Sequence, residues 1–192
     1  MGPDGVGREA PVERIRAFFG LPLPDEQRTA LASYLEACTA LAPDFRWSDP
    51  GNLHLTIRFV GSVERSIVEG IASRVSGPAF EIALGDVGSF RRGRLARVVW
   101  MGIRDGGGAL RALAERVDGE CRAAGLEPET RPFTGHLTLA RARSRDGEPL
   151  PELPAPPALE PWRARELVLY SSHLGRGGAV HEPIRIVQLS GE

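Results

Sequence analysis

Lysine is absent from this 192-residue chain, and all 24 of its basic residues are arginine. A planar guanidinium suits bidentate contact with phosphate. The accompanying abundance of Ala, Gly and Pro points instead to a GC-rich coding sequence, so the bias alone assigns no function. Net charge is also nearly missing, at −1, which excludes a global field drawing the chain to nucleic acid or membrane. Any anion site must therefore be a local cluster. Only two cysteines occur, Cys38 and Cys121, without metal-ligand spacing. Each falls within an apolar helical pattern, where a free thiol packs as a small hydrophobe. The fold has to hold without staples, and this length suffices for that. No export-signal region and no bilayer-length apolar run is present. The expectation is a cytoplasmic monomer without membrane association.

What is present is ordinary globular composition, 42% hydrophobic and 26% charged. Residues 1–13 are rich in Gly, Pro and charge and read as a disordered tail, leaving residues 14–192 as one domain or two small lobes sharing a core. "RIRAFFGLPLP" reads as a first strand. From Asp25 to Leu41, the residues Leu31, Tyr34, Leu35, Cys38 and Leu41 keep a helical period. A short strand is expected near Trp47. A second helix is expected over Val63–Ser76 with Ile67, Val68, Ile71 and Val75 inward. "AFEIALGDVGSF" and "ARVVWMGIR" read as strands joined by the basic loop "RRGRL". A third helix carries Leu110, Leu113, Val117 and Cys121. After a further strand, residues 144–161 form a Pro-rich loop, and two strands close the chain. Interleaved helices and consecutive strands leave the class as α/β or α+β, and favour mixed or antiparallel sheets over a doubly wound fold.

The stretch "NLHLTIRFVG" alternates Leu53, Leu55, Ile57 and Phe59 on one face with His54, Thr56 and Arg58 on the other. The triplet His54-Leu55-Thr56 recurs as His136-Leu137-Thr138, 82 residues later. In a strand, the His and the Thr two residues on share a face, roughly 6.5–7 Å apart. Each copy follows a helix at a similar distance, which suggests two pseudo-symmetric halves. In-line displacement at phosphorus needs a base on the attacking oxygen and an acid on the leaving one. Histidine suits both roles at neutral pH. Hydroxyls can hold the non-bridging oxygens, and arginine can neutralise the charge that develops. A lone strand histidine is more often structural, but two copies in equivalent settings argue for a site.

These paired H-x-T motifs resemble the 2H phosphoesterase superfamily, specifically the bacterial RNA 2′,3′-cyclic phosphodiesterases, also called 2′-5′ RNA ligases. "RAFFGLPLP", "RWSDPGNLHLTIRFVG", "RPFTGHLTLAR" and "LVLYSSHLGRGGAVHEPI" match that family's blocks in order. Two departures are Gly135 and His181, where the family has proline and tyrosine. The resemblance implies a bilobal α+β fold, with two antiparallel sheets facing a central cleft and helices outside. It implies metal-free, cofactor-free opening of 2′,3′-cyclic phosphate at RNA ends, or in cyclic nucleotides, to a 2′-phosphate. It implies catalysis by His54 and His136, with Thr56 and Thr138 holding phosphate. The order of acid and base stays open, with His54 as acid and His136 as base preferred. Ligation by the reverse reaction and a non-catalytic RNA-end binding module are the alternatives.

Around the motifs, Arg58 shares the parity of His54 and is a candidate phosphate contact, or else a structural ion pair. Arg141 has the wrong parity for the cleft unless the strand bulges there, and is the second arginine candidate. "RRGRL" and "RARSR" are candidate basic rims for an RNA backbone. Trp47, Phe90 and Phe133 are candidate stacking residues, with core packing the competing fate. His173 reads as structural or rim, and Tyr170 and Ser172 as possible cleft residues.

Overall fold

The computed structural model describes residues 13–175 and 178–190. Its elements run β1 (Arg14–Pro22), α1 (Asp25–Leu41), β2 (Phe45–Trp47), a 3₁₀ turn (Pro50–Asn52), β3 (His54–Glu64), α2 (Arg65–Arg74) and β4 (Phe80–Arg92). There follow β5 (Leu95–Asp105), α3 (Gly107–Ala123), β6 (His136–Ala142), β7 (Trp162–Ala164), β8 (Glu166–Gly175) and β9 (Gly178–Gln188). The strand order is β7-β4-β5-β6-β3-β1-β8-β9, with β2 also on β6. Every pairing among the described residues is antiparallel.

The sheet narrows at its middle, because β3 and β6 share only the pair Leu55–Leu137. On one side lie β7, β4, β5, β6 and β2, and on the other β3, β1, β8 and β9. This is the two-lobed antiparallel arrangement that the family resemblance implies, with its two sheets continuous through one cross-strand pair. Helix α1 packs on β2 and the 3₁₀ turn, while α2 and α3 pack on β3, and α2 also on β9. The helical periods serve that packing: Leu31, Tyr34, Leu35 and Cys38 of α1, and Leu110, Leu113, Val117 and Cys121 of α3, are all buried. Leu55, Leu137 and Leu139 join them in one cluster with Phe19 and Leu21 of β1.

Three local expectations change. Val63 belongs to β3, opposite Ile15, so α2 begins only at Arg65. Leu41 is 54% exposed, since the last turn of α1 runs past the surface it covers. Strand β7 was not expected. It pairs with Phe80–Ile82 at the edge of β4 after the Pro-rich loop, and three residues are too few for alternation to show. That loop is tied to α1 by Gln27, whose buried side chain donates to the Glu160 carbonyl at 3.0 Å. The expected tail lies outside the described residues except for Glu13, whose carbonyl accepts from the Arg65 N–H at 2.9 Å.

Candidate active site

Both histidines open a strand, and both are anchored in the same way. His54 Nδ1 lies 2.7 Å from the Asn52 carbonyl, and His136 Nδ1 lies 2.8 Å from the Thr134 carbonyl. A carbonyl oxygen only accepts, so each Nδ1 must carry the hydrogen. Each bond fixes the ring and leaves Nε2 as the chemically available nitrogen. The Leu55–Leu137 pair lies between them and turns its side chains into the core. His54, Thr56, His136 and Thr138 are consequently on the opposite, partly exposed face. Antiparallel geometry sets each histidine beside the other motif's threonine, with the imidazoles diagonal and their Cα atoms on the order of 8 Å apart.

Each motif is followed by a β-bulge one residue after its threonine. In β3, Thr56 pairs with Gly20 and Arg58 with Phe19, leaving Ile57 extra. In β6, Thr138 pairs with Trp100 and Ala140 with Val99, leaving Leu139 extra. A bulge resets the alternation of every later side chain, and it moves the two candidate arginines in opposite directions. Arg58 follows Ile57 to the helix side. Its Nε donates to Asp118 Oδ1 of α3 at 3.0 Å, and its Nη atoms donate to the Glu127 and Phe59 carbonyls at 2.6 and 2.7 Å. The expectation that Arg58 touches phosphate is therefore corrected: the guanidinium is committed to bracing α3 and the segment after it. Phe59, expected in the core, takes the cleft side instead, 54% exposed and 5.7 Å from the Phe18 ring.

Arg141 moves the other way. The bulge at Leu139 restores it to the face of the histidines, where its charge helps to depress the pKa of His54. Its residue surface is open to solvent, yet protein packed around the head lowers its own pKa as well. The carbonyls that the bulge would orphan are met by Ser48. Its N–H donates to Leu139 O at 2.8 Å and its hydroxyl to Thr138 O at 3.2 Å.

The two imidazoles sit in unlike surroundings. His54 packs against Phe18 at 4.7 Å, Tyr170 at 5.9 Å and His181 at 5.1 Å between ring centres. Burial pushes its pKa down to about 4, with His181 and Arg141 adding to the depression and the Asn52 hydrogen bond opposing it. His136 meets the edge of Phe90 at 5.1 Å, and Phe90 leans on Trp100 at 5.4 Å. Glycines make room on both sides. A Cβ on Gly20 would lie 3.3 Å from His54 Cδ2 and 3.2 Å from Leu55 O, and one on Gly135 would lie 2.6 Å from Leu110 Cδ2. The glycine found before His136 thus matches the close approach of α3 in this chain.

Of the other candidates, Phe90 is 41% exposed beside His136, whereas Phe133 packs against the core. Trp47 also packs there, its indole donating to the Ala42 carbonyl at 3.0 Å. Tyr170 stacks on Phe18 at 5.0 Å and so forms part of the cleft wall. Ser172 is partly buried on β8, opposite His181. His173 lies at the rim, 3.9 Å from Glu182. "RRGRL" and "RARSR" are brought to one end of the sheet, where Ala96 and Glu148 exchange two backbone bonds of 2.9 Å and Arg92 pairs with Asp146 at 2.9 Å. Sequence reasoning missed Phe18, Gly20, Ser48 and Phe59, and placed His181 only as a departure. The close spacing of "WSDPGN" to the first motif was the available signal for Ser48. Among the described residues no three imidazole, thiol or carboxylate groups gather as a metal site would require.

The family described as the 2′-5′ RNA ligase superfamily matches residues 23–176. The RNA 2′,3′-cyclic phosphodiesterase of Escherichia coli (strain K12) is 30% identical over 174 residues, covering 88% of this chain and 94% of that protein. The protein of the same name from Methanothermobacter thermautotrophicus is 26% identical over 185 residues, covering 92% and 100%. Among solved structures, E. coli LigT complexed with 3′-AMP superposes with a TM-score of 0.78 at 29% identity, covering 93% of this chain and 100% of that one. A structure titled phosphoesterase gives a TM-score of 0.79 at 28% identity with the same coverage. The matched span takes in both His-Leu-Thr motifs and the strands that carry them, and the chain belongs to the 2′-5′ RNA ligase superfamily.

Proposed function

We propose that this cleft opens the 2′,3′-cyclic phosphate of an RNA end by attack of water, leaving a 2′-phosphomonoester. The observation that carries the reading is the pair of identically anchored imidazoles, diagonal across the Leu55–Leu137 pair. In the reaction one Nε2 takes a proton from water as the new P–O bond forms. The P–O3′ bond breaks, and the other imidazole delivers a proton to the ribose 3′ oxygen. The hydroxyls of Thr56 and Thr138 donate to the non-bridging oxygens, and Arg141 offsets the charge that grows on them. The names of the relatives and the 3′-AMP complex of LigT support an RNA-end substrate.

His54 serves as the acid and His136 as the base. In the free cleft His54 is neutral at pH 7, because its pKa lies near 4. The incoming phosphate monoanion supplies the negative charge that favours its protonated form.

The test is product analysis on an oligonucleotide ending in 2′,3′-cyclic phosphate. The expected product is the 2′-phosphate, formed equally well in EDTA. His54→Ala and His136→Ala should each lower kcat/KM by about 10²–10⁴, with circular dichroism unchanged. A 3′-phosphate product would overturn cleavage of the P–O3′ bond, and full activity in either variant would sink the two-histidine reading.

A further inference from the structure

Arg46 and Arg141 stand directly opposite each other where β2 pairs with β6. Opposed residues share a face, and like charges placed this way repel at about 4.5–5.5 Å between Cα atoms. Their neighbours Phe45 and Ala140 turn into the core, so both arginines project from the other face, and both are exposed. Among the described residues neither has a carboxylate within ion-pair distance. Two cations set opposite each other on neighbouring strands are stabilised by an anion that bridges them.

The register locates that anion. Phe90, Val98, Arg141 and Arg46 form one cross-strand row over β4, β5, β6 and β2. The adjacent row holds Trp100 and Thr138, and the next Gly102 and His136. Phe90 touches His136, and Arg141 acts on His54, so the arginine row borders the histidines. It lies about 6.7 Å further along β6 than Thr138, comparable to the separation of successive phosphates in an extended RNA strand. Beyond it, segments 44–48, 91–97 and 141–148 hold eight arginines against three carboxylates. One of those carboxylates, Asp146, is already paired with Arg92. In a chain of net charge −1 this end is a concentrated positive surface, with Arg94, Arg97 and Arg145 all exposed.

We infer that Arg46, with Arg141, forms a second phosphate subsite that takes the phosphodiester preceding the cyclic end. The cleft is thereby matched to an RNA chain rather than to a lone nucleotide. The inference rests on the phosphodiesterase reading of the histidine site and extends it. Arg141 stands between the two phosphates, and Arg46 contacts only the second. The exposed arginines beyond continue the track by charge alone, which tolerates any sequence.

The experiment compares a 2′,3′-cyclic mononucleotide with a five-nucleotide RNA ending in the same group, using wild type, Arg46→Ser and Arg46→Lys. Arg46→Ser should lower kcat/KM on the oligonucleotide about tenfold and reduce the log–log salt slope by about one. Mononucleotide turnover should not change, and Arg46→Lys should restore part of the loss. Equal losses on both substrates, or no loss on either, would overturn the subsite. Fluorescence anisotropy of a labelled 2′-phosphate-ended oligonucleotide reads the same difference without turnover. If wild type hydrolyses neither substrate, the phosphodiesterase reading fails, while anisotropy still decides whether Arg46 binds the chain.

Discussion

Leu55 and Leu137 face each other in the one cross-strand pair that joins β3 to β6, and each is the middle residue of a His-Leu-Thr triplet. They are 1% and 0% exposed. The pair therefore both closes the core and sets the spacing of the two imidazoles above it. Leu137→Ala leaves a void at this junction and should cost about 2–5 kcal/mol in urea unfolding. It should also reduce kcat by more than it changes KM, because the imidazoles lose their mutual register. A cost below about 1 kcal/mol would mean that the junction is held elsewhere.

The two bulges separate the duties of the two arginines. Arg58 has a side chain 11% exposed and bonded to Asp118, which Arg122 also approaches at 3.2 Å. Arg58→Ala should destabilise by about 1–3 kcal/mol, with KM for a cyclic nucleotide little altered. Arg141→Ala should show the opposite pattern, a stability change within about 0.5 kcal/mol and a marked fall in kcat/KM. Thermal melts and initial rates on the same preparations give both numbers. Exchange of the two patterns would restore simple alternation and discredit the bulges.

How far the sequence could be read follows from the same bulges. Alternation identified β3 and β6 and the buried set Leu53, Leu55, Ile57, Leu137 and Leu139, because a strand with one buried face writes its period into its own residues. It misassigned Arg58 and Phe59, since an extra residue is defined only by the register of the partner strand. Gly20 opposite Thr56 has no counterpart in the text of β3. For β6 the possibility of a bulge was legible, but its occurrence depended on Trp100 and Val99 of β5. The repeated His-Leu-Thr made the candidate site legible because the proposed chemistry uses both copies. Of the aromatic wall, Tyr170 was legible as a cleft candidate, but Phe18 and the packing of both against His181 were not, because the wall is assembled from β1, β8 and β9, which are far apart in the chain.

Stability should fall as the solution is acidified through the histidine range. The pKa of His54 is pushed from 6.5 down to about 4 in the folded protein, and that of His181 is also lowered by burial and by His173. Between those pH values the unfolded chain binds more protons than the folded one, so unfolding free energy rises with pH there. The contribution of His54 is complete above pH about 6.5 and gone once the pH has fallen below about 4. Urea melts from pH 7.5 to 4 should show this slope, and His54→Gln should flatten it. An identical slope in the variant would show that His54 keeps an ordinary pKa in the folded state.

Ligand binding should draw a proton into the cleft. In the free protein burial disfavours charge on His54, and Arg141 and His181 add to that. A phosphate monoester bound over the threonines, as proposed, would engage the Arg141 charge and place an anion beside the imidazole, and both changes would favour His54 in its protonated form. Nδ1 is already committed to the Asn52 carbonyl, so the added proton must sit on Nε2, the position from which an acid would donate it. Calorimetry with a 2′-phosphate nucleotide in buffers of different ionisation enthalpy should register proton uptake near pH 6. The His54 ring signal in NMR should titrate at a higher pH in the complex than in the free protein. If His54 still titrates near pH 4 with ligand bound, it cannot serve as the donor at neutral pH, and the roles of the two histidines are exchanged: His54 takes the proton from water, and His136 gives one to the 3′ oxygen.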